Sequence, residues 1–133
     1  DSKSNKRPTR EHRRVEQIEA VKIALLKEPD KKWTLNELAK EVSISPYHLT
    51  RIFGKYVGSP LHQYHLRVKI AETINDLLNT KKDITEIAFD HGFSSHSHFT
   101  STFRRMIGTS PANFRKSINS TLEIETRKKL IAD

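Results

Sequence analysis

From Val15 onward the apolar positions Val15, Ile18, Val21 and Leu25 fall three or four residues apart, the period at which side chains line one face of an α-helix. Pro29 cannot continue that helix, so the spacing predicts a first helix over about 14–28. Thr34 followed by Glu37 has the spacing of a capping box. Leu35, Leu38, Ala39 and Val42 then form one apolar stripe, which predicts a short second helix over about 35–42. Ser45-Pro46 repeats the start signal, a hydroxyl cap followed by Pro at the first helical position. Leu49, Ile52, Phe53, Tyr56 and Val57 supply the next buried stripe, and Gly58 closes the helix.

A shift of 49 or 50 positions brings the same pattern back. Thr34 and Glu37 correspond to Asp83 and Glu86, Leu35, Leu38 and Ala39 to Ile84, Ile87 and Ala88, and Ile44 to Phe93. After a one-residue insertion, Leu49, Phe53, Val57 and Gly58 match Phe99, Phe103, Ile107 and Gly108. Between the copies, Ser59-Pro60 starts a longer helix carrying Leu61, Tyr64, Val68, Ala71, Ile74, Leu77 and Leu78, which reaches about Asn79. After the second copy, Ser110-Pro111 starts a last short helix with Ala112 and Phe114. The expected fold is all-α, with seven helices forming two helix-turn-helix subdomains, residues 15–58 and 81–118, joined by a linker helix over 59–80.

Composition adds the chemistry. The chain has 133 residues, with 24 Lys and Arg against 16 Asp and Glu, a net charge of +8. That length allows one compact unit or two very small ones and excludes a large multidomain enzyme. The longest apolar run, Ile23-Ala24-Leu25-Leu26, is far short of the roughly 20 residues of a membrane-spanning helix, and no signal peptide is present. A cytoplasmic protein is expected. The absence of Cys excludes a disulfide framework, thiol catalysis and Cys-based zinc sites. The positive excess points to a polyanionic partner, nucleic acid before others. Residues 1–14 hold Lys3, Lys6, Arg7, Arg10, Arg13 and Arg14 against Asp1 and Glu11, and read as a mobile basic linker cut from something longer. The tail over 119–133 balances acids and bases, with Leu122, Ile124, Leu130 and Ile131 available either for docking or for starting a further segment.

Two short helices joined by a tight turn expose the second helix, and a DNA major groove is wide enough to accept one helix. In the first copy the residues outside the apolar stripe are Ser45, Tyr47, His48, Thr50, Arg51 and Lys55. Arg51 leads, because a guanidinium bonds bidentately to guanine O6 and N7. In the second copy they are Ser95, His96, Ser97, His98, Thr100, Ser101, Arg104 and Arg105, mostly small hydroxyls and imidazoles suited to methyl or water-mediated contacts. Ser45, Lys55, His98, Arg104 and Arg105 are the candidates for phosphate.

Over about residues 15–115 the chain resembles the AraC/XylS family of bacterial transcription regulators. The second copy carries the likeness in Ile84-Thr85-Glu86-Ile87-Ala88, Gly92-Phe93-Ser94-Ser95, His98-Phe99-Thr100, Phe103-Arg104-Arg105, Gly108, Ser110-Pro111 and Phe114-Arg115. The first copy matches through Trp33-Thr34-Leu35, Leu38-Ala39, Ser45-Pro46-Tyr47-His48-Leu49 and Arg51-Ile52-Phe53. The resemblance implies that one chain places two recognition helices in successive major grooves of double-stranded DNA, about 34 Å apart. It assigns base contacts to Tyr47, Thr50 and Arg51, and to His96, Ser97, Thr100 and Ser101. Ser101 stands where family members often have Arg, and Lys69 replaces a common linker-helix Arg, with Arg67 nearby. It also implies an upstream effector-sensing or dimerising domain in the intact regulator. RNA polymerase is a further candidate partner, as an acidic protein that the basic face would meet.

Other chemistries fare worse. A metal could be sought at His91, His96 and His98, or at His62 and His65, but no third convincing ligand accompanies either set, so no metal or cofactor is expected. The family's alkylation-repair members need Cys, and the chain has neither a glycine-rich phosphate loop nor a nucleophile elbow, so no enzyme is expected. A helical module that binds an acidic protein is the second function class, separated from DNA binding by its flat response to salt.

Overall fold

The computed structural model describes residues 9–117 and 120–132, and the remaining basic N-terminal residues and Ile118 lie outside it. The chain divides into two compact units, Asp1–Lys27 with Trp33–Leu61, and Glu28–Lys32 with His62–Asp133. Eight helices and no strand occur among the described residues, so the all-α class holds while the expected seven helices become eight.

The first unit contains α1 (Arg10–Lys27), α2 (Leu35–Glu41) and α3 (Pro46–Val57). Helix α1 begins at Arg10, so residues 10–14, expected in the basic linker, are helical. Apolar spacing had no way to show this, because the signal is a cap. The Thr9 hydroxyl accepts from the His12 N–H at 3.0 Å, and Glu16 meets the His12 ring at 3.0 Å one turn on. Ile18, Val21 and Leu25 of α1 pack with Leu38, Ala39, Leu49, Ile52 and Phe53 as the buried side chains of this unit. Val15 and Leu35, placed on apolar stripes by spacing alone, are 46% and 39% exposed; Leu35 is the first residue of α2, and Val15 lies in the second turn of α1, N-terminal to the buried run that begins at Ile18. The capping box at α2 is complete: the Glu37 N–H donates to the Thr34 hydroxyl at 3.1 Å, and Glu37 Oε1 accepts from the Thr34 N–H at 3.0 Å.

In the second unit, α4 (Leu61–Asn79) is more than a linker, because Ile70, Ala71, Ile74 and Leu77 join the core of the second helix-turn-helix. That core also takes Ile87 and Ala88 from α5 (Ile84–Asp90), Phe99 and Phe103 from α6 (His96–Ile107) and Phe114 from α7 (Pro111–Ser117). Four phenyl rings form a run, Phe93 to Phe99 at 5.1 Å, Phe99 to Phe103 at 5.8 Å and Phe103 to Phe114 at 5.4 Å between centroids. Such edge and tilted contacts suit the ring quadrupoles. The tail forms α8 (Ser120–Ile131), anchored by buried Leu130 and by Arg127 at 3.4 Å from Glu72, whereas Ile124 is exposed. Arg115, read in the sequence only as part of a motif, donates from Nε to the Leu77 carbonyl at 2.7 Å. It therefore satisfies an orphan carbonyl in the last turn of α4, where positive charge also suits the helix dipole.

The turn between the paired helices is built the same way twice. Ile44 N–H donates to the Ala39 carbonyl at 3.1 Å, and Phe93 N–H donates to the Ala88 carbonyl at 2.9 Å. Both turns need one residue in the left-handed region, Gly92 at φ +82° and Ser43 at φ 57°. A side chain in that region carries a steric penalty of about 1 kcal/mol that glycine avoids. Ser43→Gly is therefore expected to raise stability by up to about 1 kcal/mol, partly offset by unfolded-chain entropy. Urea denaturation measures it, and a loss of stability would show that the Ser43 side chain matters more than its backbone.

Candidate nucleic-acid interface

Helix α3 is held at its start by Ser45, whose hydroxyl accepts from the His48 N–H at 3.1 Å, and ends on Gly58. Leu49, Ile52 and Phe53 fix its inner face. The helical repeat therefore sends Tyr47, Thr50, Arg51 and Gly54 to the opposite side. Tyr47 is 77% exposed, which no packing requirement explains for so large a ring. Thr50 donates its hydroxyl proton to the Pro46 carbonyl at 3.1 Å, leaving lone pairs that accept from a base amino group. Arg51 is exposed and has no carboxylate partner among the described residues. The Lys55 ammonium lies 5.5 Å from the Tyr56 ring centroid.

Helix α6 repeats the frame. Ser95 caps it by accepting from the His98 N–H at 3.0 Å, and Phe99, Thr102 and Phe103 face inward. His96, Ser97, Ser101, Arg104 and Arg105 are exposed. Helical geometry places Ser97, Ser101 and Arg104 on one outer stripe. Ser101 donates to the His98 carbonyl at 3.3 Å, so it too offers acceptor lone pairs. Thr100 differs: its hydroxyl oxygen is buried with no hydrogen-bond partner among the described residues, which leaves its methyl as the contact group. The His98 ring is positioned by the Ser94 hydroxyl at 3.3 Å and by an edge contact with Phe93 at 5.4 Å.

Three other histidines are set apart from this face. His91 is buried, with Nδ1 at 2.7 Å from Asp30 and Nε2 at 2.8 Å from Asp76. Both ring nitrogens are engaged, so His91 is a tie within the second unit and not a metal ligand beside His96 and His98. Lys82 supports the same cluster, 2.9 Å from Asp90 and 3.8 Å from Asp76. His62 is exposed, while His65 is half-buried with its Nε2 covered. Burial, and then the Lys69 charge, lower the His65 pKa from 6.5 to about 4. Lys69 itself is half-buried, and its ammonium lies 3.6 Å from where a Cβ on Gly92 would stand. Its pKa is lowered by burial and by Lys32, with Asp30 opposing.

Two copies of a capped helix-turn-helix, each presenting a polar second helix without acidic residues, define a double helix-turn-helix domain. A family described as a helix-turn-helix domain matches residues 38–117. The chain is 31% identical over 115 residues to ArgR, an HTH-type transcriptional regulator of Pseudomonas aeruginosa, which covers 86% of this chain and 34% of that protein. It is 33% identical over 84 residues to AarP, an HTH-type transcriptional activator of Providencia stuartii, covering 63% of this chain and 62% of that one. The DNA-binding domain of AdpA, solved in complex with a target DNA, shares the fold with a TM-score of 0.68 at 24% identity, over 76% of this chain and 91% of that one. The chain belongs to the AraC-type helix-turn-helix family of transcription regulators and constitutes a DNA-binding domain of that kind. It spans 34% and 62% of the lengths of the two regulators it matches. No described helix is long and apolar enough to cross a membrane.

Proposed function

We propose that this domain reads double-stranded DNA with α3 and α6 as recognition helices seated in successive major grooves. The observation that carries the reading is the duplication: two helices of the same length, capped the same way, each with its apolar side buried and its polar side bare. Tyr47, Thr50 and Arg51 read bases from α3, with Arg51 on a guanine and the Thr50 lone pairs on a base amino group. His96, Ser97, Thr100 and Ser101 read from α6 through acceptor lone pairs, imidazole and a methyl, a less discriminating set. Ser45, Lys55, His98, Arg104 and Arg105 hold phosphates, which fixes register without specifying sequence. Arg104 shares the outer stripe of Ser97 and Ser101, so its side chain also passes close to the base edges.

The length of ArgR, of which this chain spans 34%, supports an intact regulator with a further effector-sensing or dimerising domain. Such a regulator acts on transcription in the cytoplasm and meets RNA polymerase at the promoter. The naming of AarP as an activator favours activation.

Selection of bound sequences from a random duplex pool tests the reading. A site with two blocks one helical turn apart is expected, the α3 block sharper than the α6 block. Inserting half a turn, about 5 base pairs, between the blocks is expected to abolish joint recognition. Retained affinity would mean that only one helix reads DNA.

A further inference from the structure

Helices α1 and α3 enclose a cleft of about 450 Å³, lined by Arg10 and Arg14 from one helix and by His48, Arg51, Lys55 and Tyr56 from the other. We propose that this cleft seats a backbone phosphate of DNA beside the groove that α3 enters, with Arg10 and Arg14 closing it from the side. The inference rests on α3 being a recognition helix and adds a third helix, α1, to the interface.

Four permanent cations line the cleft and no carboxylate does. On α1, Arg10 and Arg14 are one turn apart, and on α3 the set His48, Arg51 and Lys55 follows the same helical spacing, so two stripes converge on one volume. Arg14 is braced. Its Nη1 donates to Gln17 Oε1 at 2.9 Å, and Gln17 Nε2 donates to the Val42 carbonyl at 3.2 Å. The guanidinium is therefore tied through Gln17 to the end of α2 and loses little freedom on meeting an anion. At this cleft, burial and then Arg14, Arg51 and Arg10 hold His48 below its ordinary value of 6.5. A bound anion relieves that repulsion.

The position of the cleft selects the anion. Arg51 and Lys55 border both the cleft and the outer face that carries Tyr47 and Thr50. An oxygen anion between them and α1 is therefore next to base edges, as a strand phosphate is and an acidic peptide is not. The Tyr56 ring supplies a flat wall under Lys55.

The test uses the Arg10→Ala/Arg14→Ala double variant, with anisotropy of the selected site and of a random duplex between 50 and 200 mM KCl. Affinity is expected to fall by a similar factor, about tenfold, on both duplexes. The slope of log affinity against log salt is expected to become shallower by about 1, the signature of one lost phosphate contact. Arg10→Lys/Arg14→Lys is expected to restore most of the slope, because phosphate accepts a point charge. Far-UV helicity and melting confirm that the variants fold; the Gln pair replaces the Ala pair if they do not.

An unchanged slope and affinity on both duplexes, with wild type binding normally, overturns this proposal and leaves the DNA-reading function standing. Loss confined to the selected site overturns it as well, since α1 would then read bases. A variant that keeps its duplex binding but loses a poly-glutamate peptide assigns the cleft to an acidic protein and also overturns it. A wild type that binds no duplex fails the functional reading itself.

Discussion

Ile87→Asp is expected to unfold the second unit. Ile87 is fully buried among Ala88, Phe93, Phe99 and Phe103. The substitution removes a hydrophobic contact and places a carboxylate where no donor waits. Burying that charge, or holding the group neutral by a raised pKa, costs several kcal/mol. Small domains have a stability on the order of 5–15 kcal/mol in total, and two small units fall toward the low end. The expected result is loss of a large part of the far-UV helical signal and of the cooperative urea transition assigned to α4–α8. Leu38→Asp is the matching change in the first unit, where Leu38 is buried with Leu49 and Phe53. If Ile87→Asp melted like the parent, α5 would not belong to the core as described.

Arg51→Ala is expected to weaken binding to the selected site by about 1–3 kcal/mol and binding to random duplex far less. The argument is chemical. A bidentate guanidinium discriminates between bases, and Arg51 is exposed on α3 without a carboxylate to occupy it among the described residues. Its contrast with the Arg10 and Arg14 pair sharpens the measurement, because those two are expected to affect both duplexes alike. Anisotropy titrations on the selected site, on the same site with its guanine changed, and on random duplex separate the cases. Equal losses on all three would make Arg51 a phosphate anchor.

Much of the architecture was legible in the order of residues. The caps at Thr34, Ser45 and Asp83 act over three residues, so they are written locally and formed where expected, while Ser95, read only as an outward residue, also caps its helix. The repeat also carries a signal for the turns: the 49-position shift sets Ser43 against Gly92, which locates the left-handed residue of both turns. The early start of α1 lay in Thr9 and His12, a local cap outside any apolar period.

Long-range polar partnerships were not legible. Nothing near His91 in the chain announces Asp30, and nothing near Arg115 announces the Leu77 carbonyl. Charged side chains of this kind look like surface or nucleic-acid contacts until the fold brings their partners within reach. The same holds for Arg14, whose Gln17 brace depends on a carbonyl at the end of α2.

By itself the sequence determined the helices, their caps, the duplication and the two polar stripes, since each depends on side chains within a turn or two of one another. The tertiary structure alone decided which cations face a common volume and which titratable groups serve the core. It also decided that the tail adds a helix to the second unit, through Leu130 and the Arg127–Glu72 pair. The reason is one of range: caps and helical periodicity are local, whereas burial and charge pairing are set by residues tens of positions apart that meet only after the chain has folded.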